Sequence, residues 1–238
     1  MQKGIKFRIY PNREQQNLIN QTLGCCRLIY NKGLAMRNEA YENGNKIGYS
    51  QTSSMLTELK KCEDFAFLKV VDSIALQQSL RDLDRGFVNF FQKRAAHPTF
   101  KSKHNRHQSY RTVNQKDNIR IVGNYIKLPK LGYVKIRQSM EVGKINNVTI
   151  EHTTTGRYFA VLNVEFKPQP RPNNGGRIGI DVGIKEFYSD SNGNVVSNPK
   201  FLEQSMRKLI REQRRLSRKQ KGSNNRNKQR VKVALVHE

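Results

Sequence analysis

The period of the hydrophobic pattern changes several times along the chain, and each change marks a new element. Residues 3–10 alternate, with Ile5, Phe7 and Ile9 on one side, which predicts a short strand. From Asn12 the spacing becomes helical. Asn12 with Gln15 three residues on is a capping-box signature. Leu18, Leu23, Cys26, Tyr30, Leu34 and Tyr41 then hold helical spacing until Gly44 stops the run. A shorter helix is expected over residues 51–62, with Leu56 and Leu59 inward, and a third over 73–94. In the third, Leu76, Leu80, Leu83, Phe87 and Phe90 form a core stripe, opposite Gln77, Gln78, Arg81, Arg85, Asn89 and Lys93.

From His97 to Pro170 the period falls to two. Ile119–Val122 and Tyr125–Leu128 flank Gly123-Asn124, a two-residue hairpin signal. Tyr133–Arg137 alternates as well, and Val148–His152 and Tyr158–Phe166 flank a turn at Thr155-Gly156. Short antiparallel strands at this spacing predict a small barrel or sandwich. Lys167–Gly176, with Pro168, Pro170, Pro172, Gly175 and Gly176, reads as a linker. Arg177–Phe187 then reads as a buried strand with one carboxylate, Asp181, in its middle, and Phe187–Val196 as a hairpin turning at Ser191–Asn194. Asn198-Pro199 opens a helix with Pro199 near its first position. Leu202, Met206, Leu209 and Leu216 are its expected buried seam, and Gly222–Asn225 breaks it before a last basic helical piece.

Composition adds charge to this outline. The 238 residues hold 44 Lys plus Arg against 19 Asp plus Glu, a net charge of +25. The excess favours a polyanionic partner without specifying a fold. No apolar run is long enough to span a bilayer and Met1–Tyr10 is not a signal peptide, so no membrane partner and a cytoplasmic location are expected. Cys25, Cys26 and Cys62 form no C-x-x-C pair, which disfavours a zinc ribbon and leaves buried free thiols as the expectation.

Charge and pattern together nominate candidate residues. The polar face of the third helix offers Arg81 and Arg85. The aromatic-punctuated basic loop His97–Arg106 offers Lys101, Lys103 and Arg106, in a composition suited to a sugar–phosphate backbone. The basic helix offers Arg207, Arg211, Arg214, Arg215, Arg218, Lys219 and Lys221, whose density favours backbone contact over a merely solvated face. Asp181 is the candidate metal ligand, since a lone carboxylate in an apolar strand needs compensation for its desolvation. Its neighbours do not complete a site. Asp190 reads as a turn residue, Glu186 falls on the opposite face by strand parity, and Glu203 and Glu212 are expected to pair with arginines of their own helix.

Several blocks carry a resemblance. They include Lys6–Pro11, Gly24–Arg27, Tyr30-Asn31, Leu56–Lys61, Ala75–Arg85, Pro98–Lys103, Gly179–Gly183 and Leu216–Ser223. In this order and over nearly the whole chain, they resemble the TnpB (OrfB) family of bacterial insertion sequences. The resemblance implies an α+β fold: a small antiparallel, wedge-type β-barrel (1–10 and 97–170) with an inserted helical recognition or helix-turn-helix domain (11–96), a linker (171–176), and the first part of an RNase H-like (RuvC) domain (177–238). It implies RNA-guided DNA cleavage acting with transposition, with a guide RNA from the element and target DNA as partners, base pairing reading the sequence. It implies Mg²⁺ at the complete family site, with Asp181 as the first carboxylate. The family's second and third carboxylates and its zinc-binding cysteines have no counterpart here, so no zinc and no cleavage by this chain alone are expected. Two further readings are a nuclease-dead, RNA-guided repressor and a generic basic RNA-binding protein.

Overall fold

The structure is a computed structural model that describes residues 1–103, 108–168 and 175–238. The chain divides into two compact units, Met1–Lys167 and Pro168–Glu238.

In the first unit, strand β1 (Gln2–Tyr10) leads into helices α1 (Arg13–Glu42) and α2 (Tyr49–Lys61), a 3-10 segment (Glu63–Lys69) and helix α3 (Ser73–Phe91). Six strands follow: β2 (Gln108–Val113), β3 (Arg120–Val122), β4 (Tyr125–Leu128), β5 (Gly132–Arg137), β6 (Ile145–His152) and β7 (Tyr158–Glu165). The seven strands form one antiparallel sheet in the order β2-β6-β7-β1-β5-β4-β3. The first strand of the chain therefore lies in the middle, between β7 and β5.

Local chemistry explains the start of α1. Asn12 accepts from the Gln15 backbone N–H at 2.8 Å, and the Gln15 side chain accepts from the Asn12 N–H at 3.0 Å. Gln15 also donates to the carbonyls of Leu131 and Tyr133, which fastens the helix to β5 and the turn before it. The expected stripes of α1 and α3 are buried from Leu23 to Leu34 and from Leu76 to Phe87, whereas Tyr41 is 73% exposed. One core joins helices and sheet, with Ile19, Leu23, Cys26 and Leu76 in the same cluster as Phe7, Ile9, Val134 and Leu162.

No ladder pairs the edge strands β2 and β3 among the described residues, so the sheet is curled but open rather than a barrel closed by hydrogen bonds. The Asn114 side chain partly replaces that ladder. It donates to the carbonyls of Ile119 (3.1 Å) and Ile145 (2.8 Å) and accepts from the Ile119 N–H (3.0 Å).

The second unit holds a three-stranded sheet, β8 (Ile180–Asp181), β9 (Glu186–Asp190) and β10 (Val195–Ser197), and helices α4 (Phe201–Ser217) and α5 (Asn224–His237). Here three expectations fail. The Asp181 strand is exposed, not buried: Ile180 is 59% and Val182 72% exposed on a narrow three-stranded sheet. The seam of α4 is open too, with Leu202 76% and Met206 48% exposed and Leu209 and Leu216 only half-buried. Pro199 precedes the helix instead of opening it. Lys200, with a left-handed φ of 51°, is the cap residue and breaks the approach to the first turn. Among the cysteines, Cys25 and Cys26 are buried as expected, but Cys62 is exposed because it sits at the junction of α2 and the 3-10 segment.

Candidate nucleic-acid interface

The segment from Pro98 to Lys103 is held to the first unit's helices by short side chains. Asn31 of α1 accepts from the Lys101 N–H at 2.8 Å and donates to the Lys101 carbonyl at 3.0 Å, a two-point clamp on exposed backbone. On α3, Gly86 leaves room for Pro98, whose Cγ would lie 3.3 Å from an added Cβ. The Lys101 ammonium lies 4.0 Å from the Tyr30 ring centre. Desolvation lowers its pKa, against an opposing pull from Asp82 and Cys26. Lys101, an exposed residue, thus lays its ammonium against Tyr30 and lines a small cleft.

That cleft is lined by Arg27, Ser79, Asp82, Lys101, Gln108 and Arg111, among others. Arg111 of β2 donates to Asp82 and, at 3.2 Å, to Gln78, both on α3. Lys103 and Arg27 line a second, shallower hollow with Asn20, His152 and Thr153. Arg27 and Arg111 escape sequence reasoning. Arg27 lies directly beside the apolar stripe of α1, and Arg111 belongs to a strand whose inward residues are Tyr110 and Thr112, too weak a pattern to announce itself. Of the nominated residues in this unit, Arg81 sits over the Tyr49 ring at 4.8 Å and Arg85 is exposed on α3. Arg106 lies outside the described residues.

In the second unit, α4 presents a dense row of cations anchored by one buried carboxylate. Glu212, 6% exposed, accepts from Gln229 of α5 at 2.7 Å and from Arg215 at 2.8 Å, while Arg211 approaches to 3.7 Å. The Gln229 hydrogen bond holds the Glu212 carboxyl below the usual glutamate range; desolvation opposes it, and the Arg215 and Arg211 charges add smaller downward pulls. Glu203 lies 3.8 Å from Arg207. Arg214, Arg218, Lys219 and Lys221 have no carboxylate partner among the described residues and are exposed. The helix therefore keeps most of its positive charge available.

Asp181 is opposite Ser189 in the β8–β9 ladder. Asp190 is opposite Ile180, so it faces away from Asp181, and its carboxylate is spent on the turn: it accepts from the N–H groups of Asn192 and Asn194 and from the Asn194 side chain at 2.8–2.9 Å. Glu186 shares the face of Asp190 by parity. Among the described residues no three His, Cys, Asp or Glu side chains converge as metal ligands. Asp181 alone does not fit a two-metal centre.

Comparison with known proteins gives this arrangement a context. Residues 1–46 match a family described as a helix-turn-helix domain of the OrfB_IS605 type, and residues 148–238 match the OrfB_IS605 family, described as a probable transposase. A protein of Streptomyces pristinaespiralis named "Putative RNA-guided DNA endonuclease" is 38% identical over 242 residues, covering 100% of this chain and 60% of that protein. The Escherichia coli K12 protein of the same name with the suffix InsQ is 35% identical, covering 99% of this chain and 58% of its own length. The chain thus spans about three-fifths of the curated relatives it matches. A solved Cas12f1–sgRNA–target DNA complex contains a chain with a similar fold, at a TM-score of 0.50 and 12% identity, covering 99% of this chain and 74% of that one. Two family matches at opposite ends and relatives that match this chain along its whole length lead to one conclusion: the chain belongs to the TnpB (OrfB) family.

Proposed function

We propose that this chain binds a guide RNA and the DNA that the RNA addresses, in the manner of an RNA-guided DNA endonuclease encoded by an insertion sequence. The observation that supports this most is the similarity, along the whole length of this chain, to relatives carrying that name. The exposed cations of α4 and the clamped loop at Lys101 supply the electrostatics such partners need. On this reading the curled sheet is a wedge-type barrel, the helices 11–96 are the recognition domain, and the second unit begins a RuvC-like domain working in the cytoplasm. Asp181 is its first carboxylate, meant for a divalent ion such as Mg²⁺. One carboxylate does not hold two ions, so the 238-residue chain with Mg²⁺, guide and matched target is expected to bind without cutting.

The test is to purify the chain with its bound RNA and sequence that RNA. Enrichment of one transcript end supports guided binding, whereas an even sample of cellular RNA would mean a generic basic RNA-binding protein. Arg214→Gln and Arg218→Gln are each expected to flatten the salt dependence of RNA affinity by about 0.7–0.9 in log–log slope. An unchanged slope in the double variant would remove α4 from the interface.

A further inference from the structure

The sheet of the first unit has a second face, turned away from the core, that the reading above leaves unused. Strand parity and register define it. Phe7 and Ile9 of β1, Val134 and Ile136 of β5, and Ile126 and Leu128 of β4 point inward. Their alternates point outward: Arg8 and Tyr10, Tyr133, Lys135 and Arg137, Tyr125 and Lys127, joined by Arg120 of β3.

The register arranges these residues in rows across the strands. Lys135 is flanked on one side by Tyr10 and on the other by Tyr125. Lys127 lies between Tyr133 and Arg120 in the next row. Arg137 faces Arg8 in the third. Strands lie about 4.8 Å apart, so Tyr10 and Tyr125 are separated by roughly 10 Å with one ammonium between them. The rings are open to solvent: Tyr10 is 42%, Tyr125 47% and Tyr133 51% exposed, although the Arg8 guanidinium lies 5.1 Å from the Tyr10 ring centre.

The charge is uncompensated. Strands β1, β3, β4 and β5 contain no Asp or Glu. The outward carboxylate Glu151 lies on the other half of the sheet and is occupied by Lys6 at 2.6 Å. Among the described residues Arg8, Arg120, Lys127, Lys135 and Arg137 make no salt bridge.

A surface built only for folding gains little from five cations without a carboxylate partner among the described residues, set beside three exposed rings, even though Arg8 lies over Tyr10 and Arg120 donates to the Asp117 carbonyl. Like charges on neighbouring strands, such as Arg8 opposite Arg137, destabilise a sheet. Phosphates would relieve that repulsion, and only unstacked bases can reach the rings. A duplex keeps its base faces inside the stack and would use the cations alone. We propose that this outer face binds a single-stranded nucleic acid segment, with Tyr125 and Tyr133 stacking on unpaired bases and Lys127, Lys135, Arg120 and Arg137 holding the phosphates. This surface shares no residue with the basic helix or the clamped loop, and its assignment does not depend on guided targeting.

The experiment uses the full chain and an unstructured fluorescent oligonucleotide, as RNA and as DNA, beside a duplex of the same length. Tyr125→Ala with Tyr133→Ala is expected to weaken binding of the single strand about tenfold or more, with little effect on the duplex. Tyr125→Phe with Tyr133→Phe keeps the rings and should retain affinity. Lys127→Gln with Lys135→Gln should lower the salt slope by about 1.4, whereas the tyrosine variants leave it unchanged. Photo-crosslinking of a halogenated pyrimidine strand should label Tyr125 or Tyr133. Preference for RNA over DNA would identify a ribose contact, and equal affinity would identify stacking and phosphate contact alone; either supports the surface. Wild-type affinity in the alanine variant, an equal loss on the duplex, or crosslinks confined to other segments would overturn it. An even sample of cellular RNA on the purified chain, with the tyrosine effect preserved, would leave this proposal standing while the guided reading fell.

Discussion

Replacing Asn31 with Ala should free the Lys101 segment while leaving the fold standing. The side chain makes two hydrogen bonds to one residue's backbone, at 2.8 and 3.0 Å, across 70 positions of sequence. Both are solvent-accessible, so each is worth the lower part of the usual range, and together about 1–2 kcal/mol. The contact of the Lys101 ammonium with Tyr30 survives in the variant and holds back about 0.5–1 kcal/mol. Local opening should therefore become roughly 5- to 30-fold more frequent. The Lys101 amide reports this directly, because its N–H is one of the two bonds lost. Amide exchange read by NMR should accelerate by that factor at Lys101, while amides within α3 and β7 keep wild-type protection. Asn31→Asp keeps the acceptor and loses the donor, so it should fall between. A Lys101 amide that exchanges within twofold of wild type in the alanine variant would show that the clamp does not hold this loop.

Three other outcomes follow from features already described. An added methyl at Gly33 would meet Leu80 at 2.8 Å and Leu83 at 3.1 Å where α1 crosses α3, so Gly33→Ala should lower stability in urea by about 1–2 kcal/mol after helix propensity returns up to ~1 kcal/mol. Asn114→Ala leaves the Ile119 and Ile145 backbone groups unpaired, and its midpoint in the same titration should fall by an amount equivalent to about 2–4 kcal/mol. Glu212 has a carboxyl pKa below its ordinary value of 4.5, so its contribution to the α4–α5 pairing is present above that pH and fades as pH falls through the lowered value. Circular dichroism should show helix loss on acidification beginning below about pH 4.5, and the part due to this group should vanish in Glu212→Gln.

Much of the first unit is legible in the chain because its signals are local. The Asn12–Gln15 box, the stripe from Leu76 to Phe87 and the Gly123-Asn124 hairpin each announce an element without knowledge of its surroundings. What escapes depends on partners distant in sequence. Strand β2 buries only Tyr110 and Thr112, a pattern that becomes a strand because β6 lies beside it. Arg111 joins the cleft because α3 brings Asp82 to it. In the second unit the apolar positions of β8 and α4 are read correctly as apolar and wrongly as buried. A stripe shows which side seeks cover, not what covers it. The outer face of β1, β5, β4 and β3 escapes the sequence for a related reason: its tyrosines and lysines alternate with core residues, and only the register brings Tyr125, Lys135 and Tyr10 into one row.

The central place of β1 sets the order in which the protein assembles as it is made. The strand leaves the ribosome first, yet its two partners are β5 and β7, and Tyr158 follows Tyr10 by well over half the chain. At about 5–20 residues per second, Phe7 and Ile9 wait roughly 7–30 s for β7 to appear. During that interval one edge of β1 stays open until β5 is made and the other until β7 is made. The helices between them have contacts to make meanwhile, since α1 and α3 meet across shorter stretches of sequence than the strand pairings of β1. The β7 edge of this oldest strand is filled last, so premature release before Tyr158 yields a chain in which β1 has β5 beside it and no partner on its other edge.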